Sequence, residues 1–433
     1  MEAGRQATAW SNTASVLLDS RRLCCYVHAV ALPPPWGERV VVSEDAAAVP
    51  TSRRRLAALG GAALAAALPR PTRAEPLPAA WTVMVYMSGD NNLESLVTKD
   101  FERELAAVGS TPAVQVVALA DRKPGRDHGR GNWTGTKLFR VEQGMTATAD
   151  NAVEAWGERD MGNPKTLVRF VDWAKSHCPA DRYALYLWGH SWSWHPQVTM
   201  WDGTEKDALS AAELKRAAAS LAPLDVVGYD SCNAGAIEAE TLWRGSAQAI
   251  AHSQEWVNTD GFDYDHILRA LNDRPGMTAD ELAAVSAQSA EGLERTWSAV
   301  ALDQRFDDLL AAVDQWAGLL LDGLKVHRKA YDRALKGTQR FVDAPMDRDL
   351  ADFAANIATT VDDAAIRAAS EAVAVAVGNA VLWEWHRDTY PGAHGITIYL
   401  PPKLPKKGWR AYRGLDFAAE TRWDDFLRAY VGK

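Results

Sequence analysis

The sequence has few cysteines, no apolar run long enough for a membrane anchor, and no excess of basic residues. Four cysteines in 433 residues cannot form the framework of a disulfide-rich scaffold. The apolar run at residues 56–68 has 13 residues, too few to span a bilayer as a stable anchor. The net charge is −9, and it becomes −13 when the first 74 residues are left out. Such an acidic surface repels phosphate backbones, so we expect no nucleic-acid partner.

The remaining composition is that of an ordinary globular protein. Hydrophobic residues make up 47% of the chain and charged residues 24%, which is enough apolar mass for a real core. The length favours one large domain or two unequal ones. Disorder, collagen and coiled coil are therefore excluded as descriptions of the whole chain.

Residues 49–74 have the layout of an export signal peptide. Three arginines, Arg53, Arg54 and Arg55, precede the apolar run, and Ala74 offers a small residue for cleavage. Ser52 followed by the arginines resembles a twin-arginine signal, and a buried Ala/Leu helix is the structural alternative. The pattern predicts an exported protein, periplasmic or secreted, which meets the membrane only transiently during export.

A signal that begins near residue 50 is misplaced, because export signals lie at the extreme N-terminus. We therefore hypothesise that translation begins at Val49 and that residues 1–48 are a non-native N-terminal extension. Without residues 1–74, Cys178 and Cys232 would be the cysteines that remain. They either form a disulfide or leave a working thiol.

The mature chain alternates short apolar strands with amphipathic helices. Residues 81–87, 114–120, 183–188 and 226–229 read as buried strands, and a further strand begins near residue 249. Capping-box spacing at Ser210/Glu213 and Thr278/Glu281 marks two helix starts. The pattern predicts an α/β fold with a largely parallel sheet and helices on both faces. We place the core at residues 75–265, and a helix-rich part at 266–433 that returns one strand, residues 396–400.

Two strand ends carry reactive side chains. The strand at residues 183–188 runs into His190, and the strand at 226–229 runs into Cys232. If these strands are neighbours, the imidazole reaches the thiol and can protonate a leaving amine. A helix beginning near Gly235 would add its positive end beside the thiol. The structural alternative is a small buried cysteine and a loop histidine.

The chain resembles the clostripain family of cysteine peptidases over about residues 81–430. The matching segments are VMVYMSGDNNLE, Asp121-Arg122, YALYLWGH, the WDG near Trp201, VVGYDSCNAGAIE, AHSQEWVNTDGFDY, ALDQRFDDL, DRDLADFA and HGITIYLP. This resemblance implies a caspase-like α/β/α sandwich, the fold shared with caspases, gingipains and legumain.

The resemblance also implies roles for individual residues. His190 and Cys232 correspond to the catalytic dyad, and the backbone N–H groups of Cys232 and Ser191 correspond to the oxyanion site. Family members favour a basic residue before the cut. Asp230 matches the carboxylate that receives this cation, with Asp260 as a second acid. A cap on the following helix is the alternative role of Asp230.

Further residues are assigned by the same resemblance. Ser253 and Glu255 match a family segment beside the cleft. Ser191 stands where the family has glycine, and this is tolerable only if its φ is negative. Asn233 and Ala234 replace apolar residues after the cysteine. Lys206 is the candidate for self-cleavage, because Lys215 and Arg216 fall on a predicted helix.

We expect no cofactor and no bound metal. Calcium dependence occurs in the family, but no calcium-binding loop of recognisable spacing is present in the sequence. The histidines show no zinc-ligand spacing. The expected partner is a peptide or protein substrate, bound by a monomer.

Two other functions stay open. The stretch Gly189–Ser193 nearly forms the G-x-S-x-G elbow of esterases, with Ser191 as nucleophile, although no helical pattern follows it. The second alternative is a peptide-binding relative without turnover, suggested by the serine at position 191. His195, in a tryptophan-rich segment, either faces the cleft or packs within a loop.

Overall fold

The computed structural model describes residues 78–125, 127–195, 199–293, 295–405 and 408–432. The proposed extension at 1–48 and the signal at 49–74 lie outside the described residues. Residues 78–433 belong to one compact unit. Within the described part, no helix combines the length and the apolar character needed to cross a membrane.

The strands of the described part are three to eleven residues long. They are β1 (Ala79–Gly89), β2 (Val114–Arg122), β3 (Gly135–Arg140), β4 (Glu154–Gly157), β5 (Ala180–Trp188), β6 (Thr199–Asp202), β7 (Asp207–Leu209), β8 (Val226–Asp230), β9 (Ala249–His252), β10 (Thr296–Ala301), β11 (Asp347–Asp349), β12 (Val381–His386) and β13 (Thr397–Tyr399).

The helices fill the connections and dominate the C-terminal part. They are α1 (Glu94–Asp100), α2 (Ala106–Val108), α3 (Pro164–His177), α4 (Ala211–Leu221), α5 (Ile237–Glu240), α6 (Tyr264–Asp273), α7 (Ala279–Ser289), α8 (Gln304–Gly337), α9 (Leu350–Thr360), α10 (Ala364–Ala380), α11 (Trp409–Tyr412), α12 (Asp416–Glu420) and α13 (Trp423–Val431). A π-helical segment, Phe101–Leu105, joins α1 to α2. Both predicted capping boxes are present, at the starts of α4 and α7.

A nine-stranded sheet organises the molecule. Its order is β12-β10-β9-β8-β5-β1-β2-β3-β4, and the five central strands from β9 to β2 run parallel. The two strands on each side are antiparallel additions. The carboxyl ends of the central strands therefore share one edge, where open α/β sheets place their functional groups.

Each face of the sheet has its own apolar core. Alternate residues of β1 point to opposite faces, so Val83 and Val85 join one core while Met84 and Tyr86 join the other. Helices α1, α6 and α7 cover the first face, and α3, α4, α8 and α10 cover the second. This three-layer arrangement confirms the predicted α/β/α sandwich.

The C-terminal part differs from the expectation in its strands. Both β10 and β12 extend the main sheet, whereas β13, the predicted strand, pairs with β11 in a separate two-stranded sheet. The sequence of β12, VLWEWH, alternates apolar and polar residues only in its last four positions, and the strand is half-buried at the sheet edge. Such a short alternation is weaker than the apolar run of a central strand.

Candidate active site

His190 and Cys232 follow the ends of two adjacent parallel strands. In the register of β5 and β8, Trp188 lies opposite Asp230, and each reactive residue comes two positions later. The N–H of Gly189 donates to the carbonyl of Asp230 at 3.2 Å, so the pairing continues past the last ladder residue. The sheet therefore brings the two segments together, as expected for neighbouring strands.

The imidazole of His190 is buried and held by a turn after β1. Its Nε2 lies 2.8 Å from Oδ1 of Asn92. Because an amide oxygen only accepts, this contact assigns the proton to Nε2 and leaves Nδ1 as the basic nitrogen. Burial lowers the pKa of His190 to about 4, so the ring is neutral at pH 7.

Cys232 is 1% exposed and lies in a tightly held turn. Its Sγ is 3.6 Å from the carbonyl oxygen of Val257. The next residue, Asn233, has φ +50°, a conformation that asparagine tolerates better than most residues. The N–H of Asn233 donates to the carbonyl of Glu255 at 3.0 Å. Helix α5 is a single turn, so the expected support from a helix end near Gly235 is small.

Ser191 sits in the candidate oxyanion position without backbone strain. Its φ is not among the positive values, so the condition for a serine in place of glycine is met. Its hydroxyl donates to the carbonyl of Cys232 and lies 2.7 Å from Oγ of Ser231. Its backbone N–H donates to no atom of the described residues.

The serine-elbow alternative finds no support in the same contacts. No helix follows Ser191 in the part of this segment that the structure describes; Trp192 and Trp194 form a bridge there instead. The hydroxyl of Ser191 has no histidine partner among the described residues. His195, raised as a second cleft histidine, stacks on Trp194 at 4.4 Å and contacts Tyr399, so it packs within the loop.

A small cavity of about 20 Å³ adjoins Cys232. Its lining includes Asp230, Asp260 and Asp100, with Trp188 and Gly261. Asp230 is buried, and its Oδ1 accepts the N–H of Phe262 at 3.2 Å, whereas Asp260 is exposed. Acidic side chains thus lie both inside the cavity and at its rim.

Asp100 is an acidic lining residue that the sequence reading missed. It is 5% exposed, and Nε1 of Trp188 donates to its Oδ2 at 3.2 Å. Its Oδ1 accepts no hydrogen bond from the described residues, and the nearest cation is the Lys99 ammonium at 4.0 Å. Burial raises the pKa of Asp100 to about 7, and the charge of Asp260 adds to this shift.

A further acidic side chain, Glu104, interacts electrostatically with Asp100 and Asp230 in the same region. Its Oε2 accepts the N–H of Tyr264 at 3.3 Å. Burial, followed by the charges of Asp100 and Asp230, raises the pKa of Glu104 to about 9. Burial and the neighbouring negative charges both disfavour the ionised form of the Glu104 carboxyl group.

Ser253 and Glu255 do not line the cavity. Both are fully buried. The Ser253 hydroxyl donates to the Glu255 carbonyl at 3.0 Å, and the Glu255 carboxylate accepts the N–H groups of Trp256, Val342 and Asp343. Their carbonyls accept from Gly235 and Asn233, so they support the turn that carries Cys232 rather than face a substrate.

The remaining cysteine and the cleavage candidate lie apart from this site. Cys178 is buried and holds no disulfide, so it does not pair with Cys232. Lys206 lies at φ +56° in the exposed turn between β6 and β7, whereas Lys215 and Arg216 are on α4, as predicted.

A three-layer α/β sandwich with a histidine and a cysteine after adjacent strands is the arrangement of caspase-like cysteine peptidases. The match to the clostripain family, peptidase family C11, covers residues 85–430. This chain belongs to that family. Clostripain of Hathewaya histolytica is 27% identical over 221 residues, which are 43% of this chain and 41% of that protein. The chain thus aligns with less than half the length of this relative.

Solved structures share the fold. An inactive zymogen C11 protease from Parabacteroides distasonis superposes with a TM-score of 0.60 at 19% identity, covering 80% of this chain and 99% of that one. A secreted C11 cysteine protease from Bacteroides thetaiotaomicron, in complex with an irreversible peptide inhibitor, gives 0.60 at 18% identity, with 80% and 100% coverage. These likenesses establish the caspase-like architecture.

Proposed function

We propose that this protein is a cysteine endopeptidase that cleaves peptide bonds after arginine or lysine. The observation that carries the proposal is the acidic cavity beside Cys232, which Asp230 and Asp100 line. A cavity with buried carboxylates favours a cationic side chain over a neutral or acidic one. Cys232 and His190 would then lie next to the peptide bond that follows the cationic residue.

The acylation step requires Cys232 in its reduced form. Sγ of Cys232 then bonds to the scissile carbonyl carbon while the thiol proton moves to Nδ1 of His190. A neutral imidazole is required for this transfer, and the low pKa of His190 keeps it neutral at pH 7. The carbonyl oxygen becomes an oxyanion, held by the N–H groups of Ser191 and Cys232. One such donor typically contributes 10²–10³-fold to kcat.

Collapse of this intermediate breaks the C–N bond, and His190 gives the proton to the leaving amine. The acyl group remains on Cys232 as a thioester. A water molecule then adds to the thioester carbon while His190 takes one of its protons. The C–S bond breaks, the carboxylic acid leaves, and the proton returns to sulfur.

The side chain before the cut would extend into the acidic cavity, which has to widen from about 20 Å³ to admit it. Asp230 is near Cys232 along the chain and is buried, so it would receive the guanidinium or ammonium group most directly. Asp100 is also a buried lining residue and Asp260 is exposed at the cavity, so both add negative potential when ionised. We place Ser253 and Glu255 outside this role because their polar groups bind the protein itself.

We also propose that the protein is exported through the signal at residues 49–74 and acts as a periplasmic or secreted monomer. The Arg53–Arg55 cluster followed by an apolar run supports export. The description of the Bacteroides thetaiotaomicron relative as secreted is in keeping with this proposal. A monomer suffices because one chain supplies every residue placed in the site.

The test is cleavage of fluorogenic peptides with Arg, Lys, Asp or Phe before the scissile bond, using the full chain with reductant. We expect turnover of the Arg and Lys peptides and its loss in Cys232→Ala. The matched control is Cys178→Ala, which removes the other described cysteine and should keep activity, because Cys178 is buried away from the cavity.

Other outcomes identify the alternatives. Activity that survives in Cys232→Ala and disappears in Ser191→Ala would replace the proposal with a serine hydrolase. Peptide binding without turnover of any substrate would show a non-catalytic relative. Turnover of Asp or Phe peptides in preference to Arg would keep the nucleophile and reject the basic specificity.

A further inference from the structure

A second cavity, of about 390 Å³, lies beside the C-terminal end of α8. Its walls come from the last turn of α8, from the segment 340–348 that leads into β11, and from Pro402 after β13. No described residue lines both this cavity and the one beside Cys232. Small-molecule sites in proteins measure about 300–1,000 Å³, so this cavity is large enough to hold a ligand of its own.

The lining of this cavity combines positive charge with apolar surface. Its described residues are cations and apolar side chains: Lys336, Arg340, Arg348, Leu335, Pro345, Met346 and Pro402. None of these described lining residues is acidic. A site of this composition attracts an anion, and its apolar walls favour an anion that carries an apolar part.

Arg348 is the buried member of the three cations, with 6% of its surface exposed. It lies on β11, where its backbone pairs with Ile398 of β13. Its Nη1 donates to the carbonyls of Pro345 at 2.9 Å and Asp347 at 2.5 Å, so the guanidinium is held in place. Its Nε is buried and has no acceptor among the described residues, and no described residue accepts from Nη2.

The two nitrogens Nε and Nη2 form the edge of the Arg348 guanidinium that can bind both oxygens of a carboxylate. A buried donor without an acceptor is unfavourable, because it has lost its hydrogen bonds to water and gained none in return. A carboxylate bound at this edge would supply the acceptors.

The protein itself does not neutralise these cations. No described carboxylate lies within 4 Å of the charged nitrogens of Lys336, Arg340 or Arg348. Burial lowers the pKa of Arg348, and the positive charge of Arg340 lowers it further by more than the charge of Asp347 raises it. The cations at the cavity therefore repel one another more than the protein compensates.

Asp347 is adjacent in sequence, but its side chain is directed elsewhere. Successive residues of a strand point to opposite faces, so the side chains of Asp347 and Arg348 diverge. Burial, and then the charge of Asp347, raises the pKa of Glu238 to about 8, which places Asp347 near Glu238. Burial also raises the pKa of Asp347 to about 7, so this carboxyl is only partly ionised at pH 7. An excess of positive charge therefore remains at the cavity.

We propose that this cavity binds an organic carboxylate with an apolar body, either the C-terminal residue of a peptide or a small free acid. The carboxylate would accept from Nε and Nη2 of Arg348, and the charges of Arg340 and Lys336 would attract it to the cavity. Its apolar body would pack against Leu335 and Met346. An inorganic phosphate or sulfate would satisfy the cations but would leave the apolar walls in contact with water.

The site lies beside the part of the fold that supports the cysteine turn. Thr397, next to the residue that pairs with Arg348, donates its N–H at 2.7 Å and its hydroxyl at 2.9 Å to the carbonyl of Gly235. Gly235 is in the turn that follows Cys232, so β11 and β13 connect the two regions. The proposed ligand therefore binds outside the substrate cavity, and its binding does not require catalysis.

The test measures binding directly, with full-chain Cys232→Ala protein, so it does not depend on peptidase activity. Calorimetry compares N-acetyl-leucine with N-acetyl-leucinamide, which has the same apolar body without the carboxylate, and with acetate, which has the carboxylate alone. We expect one saturable site for N-acetyl-leucine and at least tenfold weaker binding of the other two. Tighter binding of N-acetyl-alanyl-leucine than of isocaproate would identify a peptide C-terminus as the source of the carboxylate, and the reverse order would identify a free acid.

Variants of the lining residues locate the site. Arg340→Gln changes an exposed residue, so it should fold normally and weaken N-acetyl-leucine binding about three- to tenfold. Arg348→Lys keeps the charge but loses the two-donor edge, so it should weaken binding at least tenfold. Lys325→Gln removes the same charge from an exposed residue of α8 that does not line the cavity, and it should leave binding unchanged.

The proposal is overturned if no saturable binding is found, if the amide binds as tightly as the acid, or if Arg340→Gln keeps the wild-type affinity. Tighter binding of inorganic phosphate than of N-acetyl-leucine would also overturn it. The Tm of each ligand-free variant shows whether the variant is folded. Arg340→Gln keeps the test decisive if Arg348→Lys destabilises the protein.

Discussion

Nε2 of His190 lies 2.8 Å from Oδ1 of Asn92, and this contact assigns the protons of the imidazole. With Nε2 as the donor, Nδ1 is the nitrogen that can exchange a proton with a thiol. Asn92 follows β1, so three neighbouring strands, β1, β5 and β8, each supply one member of the arrangement. Asn92 acts through His190 and is a positioning residue.

Replacing Asn92 with alanine should lower kcat by about ten- to a hundredfold with little change in KM, because a misoriented base loses near-attack geometry. Asn92→Asp keeps an oxygen acceptor and should retain more activity. It should also move the acidic limb of the kcat/KM profile to higher pH, because a carboxylate favours the imidazolium and raises the pKa of His190 above about 4. Equal kinetics for wild type and Asn92→Ala would show that the contact plays no part.

The preference for arginine should depend on pH through Asp100. This carboxyl has a pKa of about 7, raised by burial, so it is charged above that pH and neutral below it. The ratio of kcat/KM for an arginine peptide to that for its neutral citrulline analogue should therefore rise as pH increases through about 7. Asp100→Asn should flatten this rise and lower the ratio about three- to tenfold. A ratio independent of pH in the wild type would contradict the assignment.

We expect the hydroxyl of Ser191 to contribute far less to catalysis than its backbone N–H. Ser191→Ala removes the hydrogen bond to the Cys232 carbonyl and keeps the N–H, so activity should fall about two- to tenfold. Ser191→Gly should behave similarly, with some loss of stability from backbone entropy. The measurement is the cleavage rate of the arginine peptide by both variants, with Cys232→Ala as the reference. Complete loss of activity in Ser191→Ala would favour Ser191 as the nucleophile.

Gly261 keeps the backbone close to Asp230. It has φ +56°, and a Cβ there would lie 2.2 Å from Oδ1 of Asp230. Gly261→Ala should therefore displace the carboxylate and lower kcat/KM for the arginine peptide about tenfold or more. Gly144→Ala is the matched control, because Gly144 has φ +74° and open space around it. Both variants should lower the Tm because of the positive φ, Gly261→Ala by more because of its clash, and only Gly261→Ala should change specificity.

The central strands were predictable from the sequence, but the outer strands were not. β1, β5 and β8 are buried on both faces and read as continuous apolar runs. In contrast, β3 begins at Gly135, in a segment rich in glycine and basic residues that is typical of a loop. Strand β12 shows only a short alternation of apolar and polar residues. Strand β12 lies at the edge of the sheet and lacks a second strand neighbour, so its sequence is less constrained. Strand β3 is paired with both β2 and β4, and its signal is hidden by the glycine-rich segment in which it begins.

The site was predictable where it depends on strand ends and not where it depends on packing. His190 and Cys232 follow apolar strands, so their placement at one edge could be expected. Asp100 enters the cavity from the end of α1, and no sequence pattern indicates which face of a helix meets a distant strand. Asn92 could have been identified from the sequence, because it follows β1 and therefore lies at the same edge of the sheet. Ser253 and Glu255 are the opposite case. The sequence assigned them to the cleft, but they are buried and stabilise the turn that carries Cys232.

The shared register of β5 and β8 has a consequence for how the reacting groups are held. Trp188 and Asp230 are fixed opposite each other in the middle of a nine-stranded sheet, so the two reactive residues cannot separate unless central hydrogen bonds break. Substrate binding then needs no assembly of the nucleophile and base, and little binding energy is lost to ordering them. The pair should persist until the sheet itself melts, so heat inactivation and global unfolding should coincide.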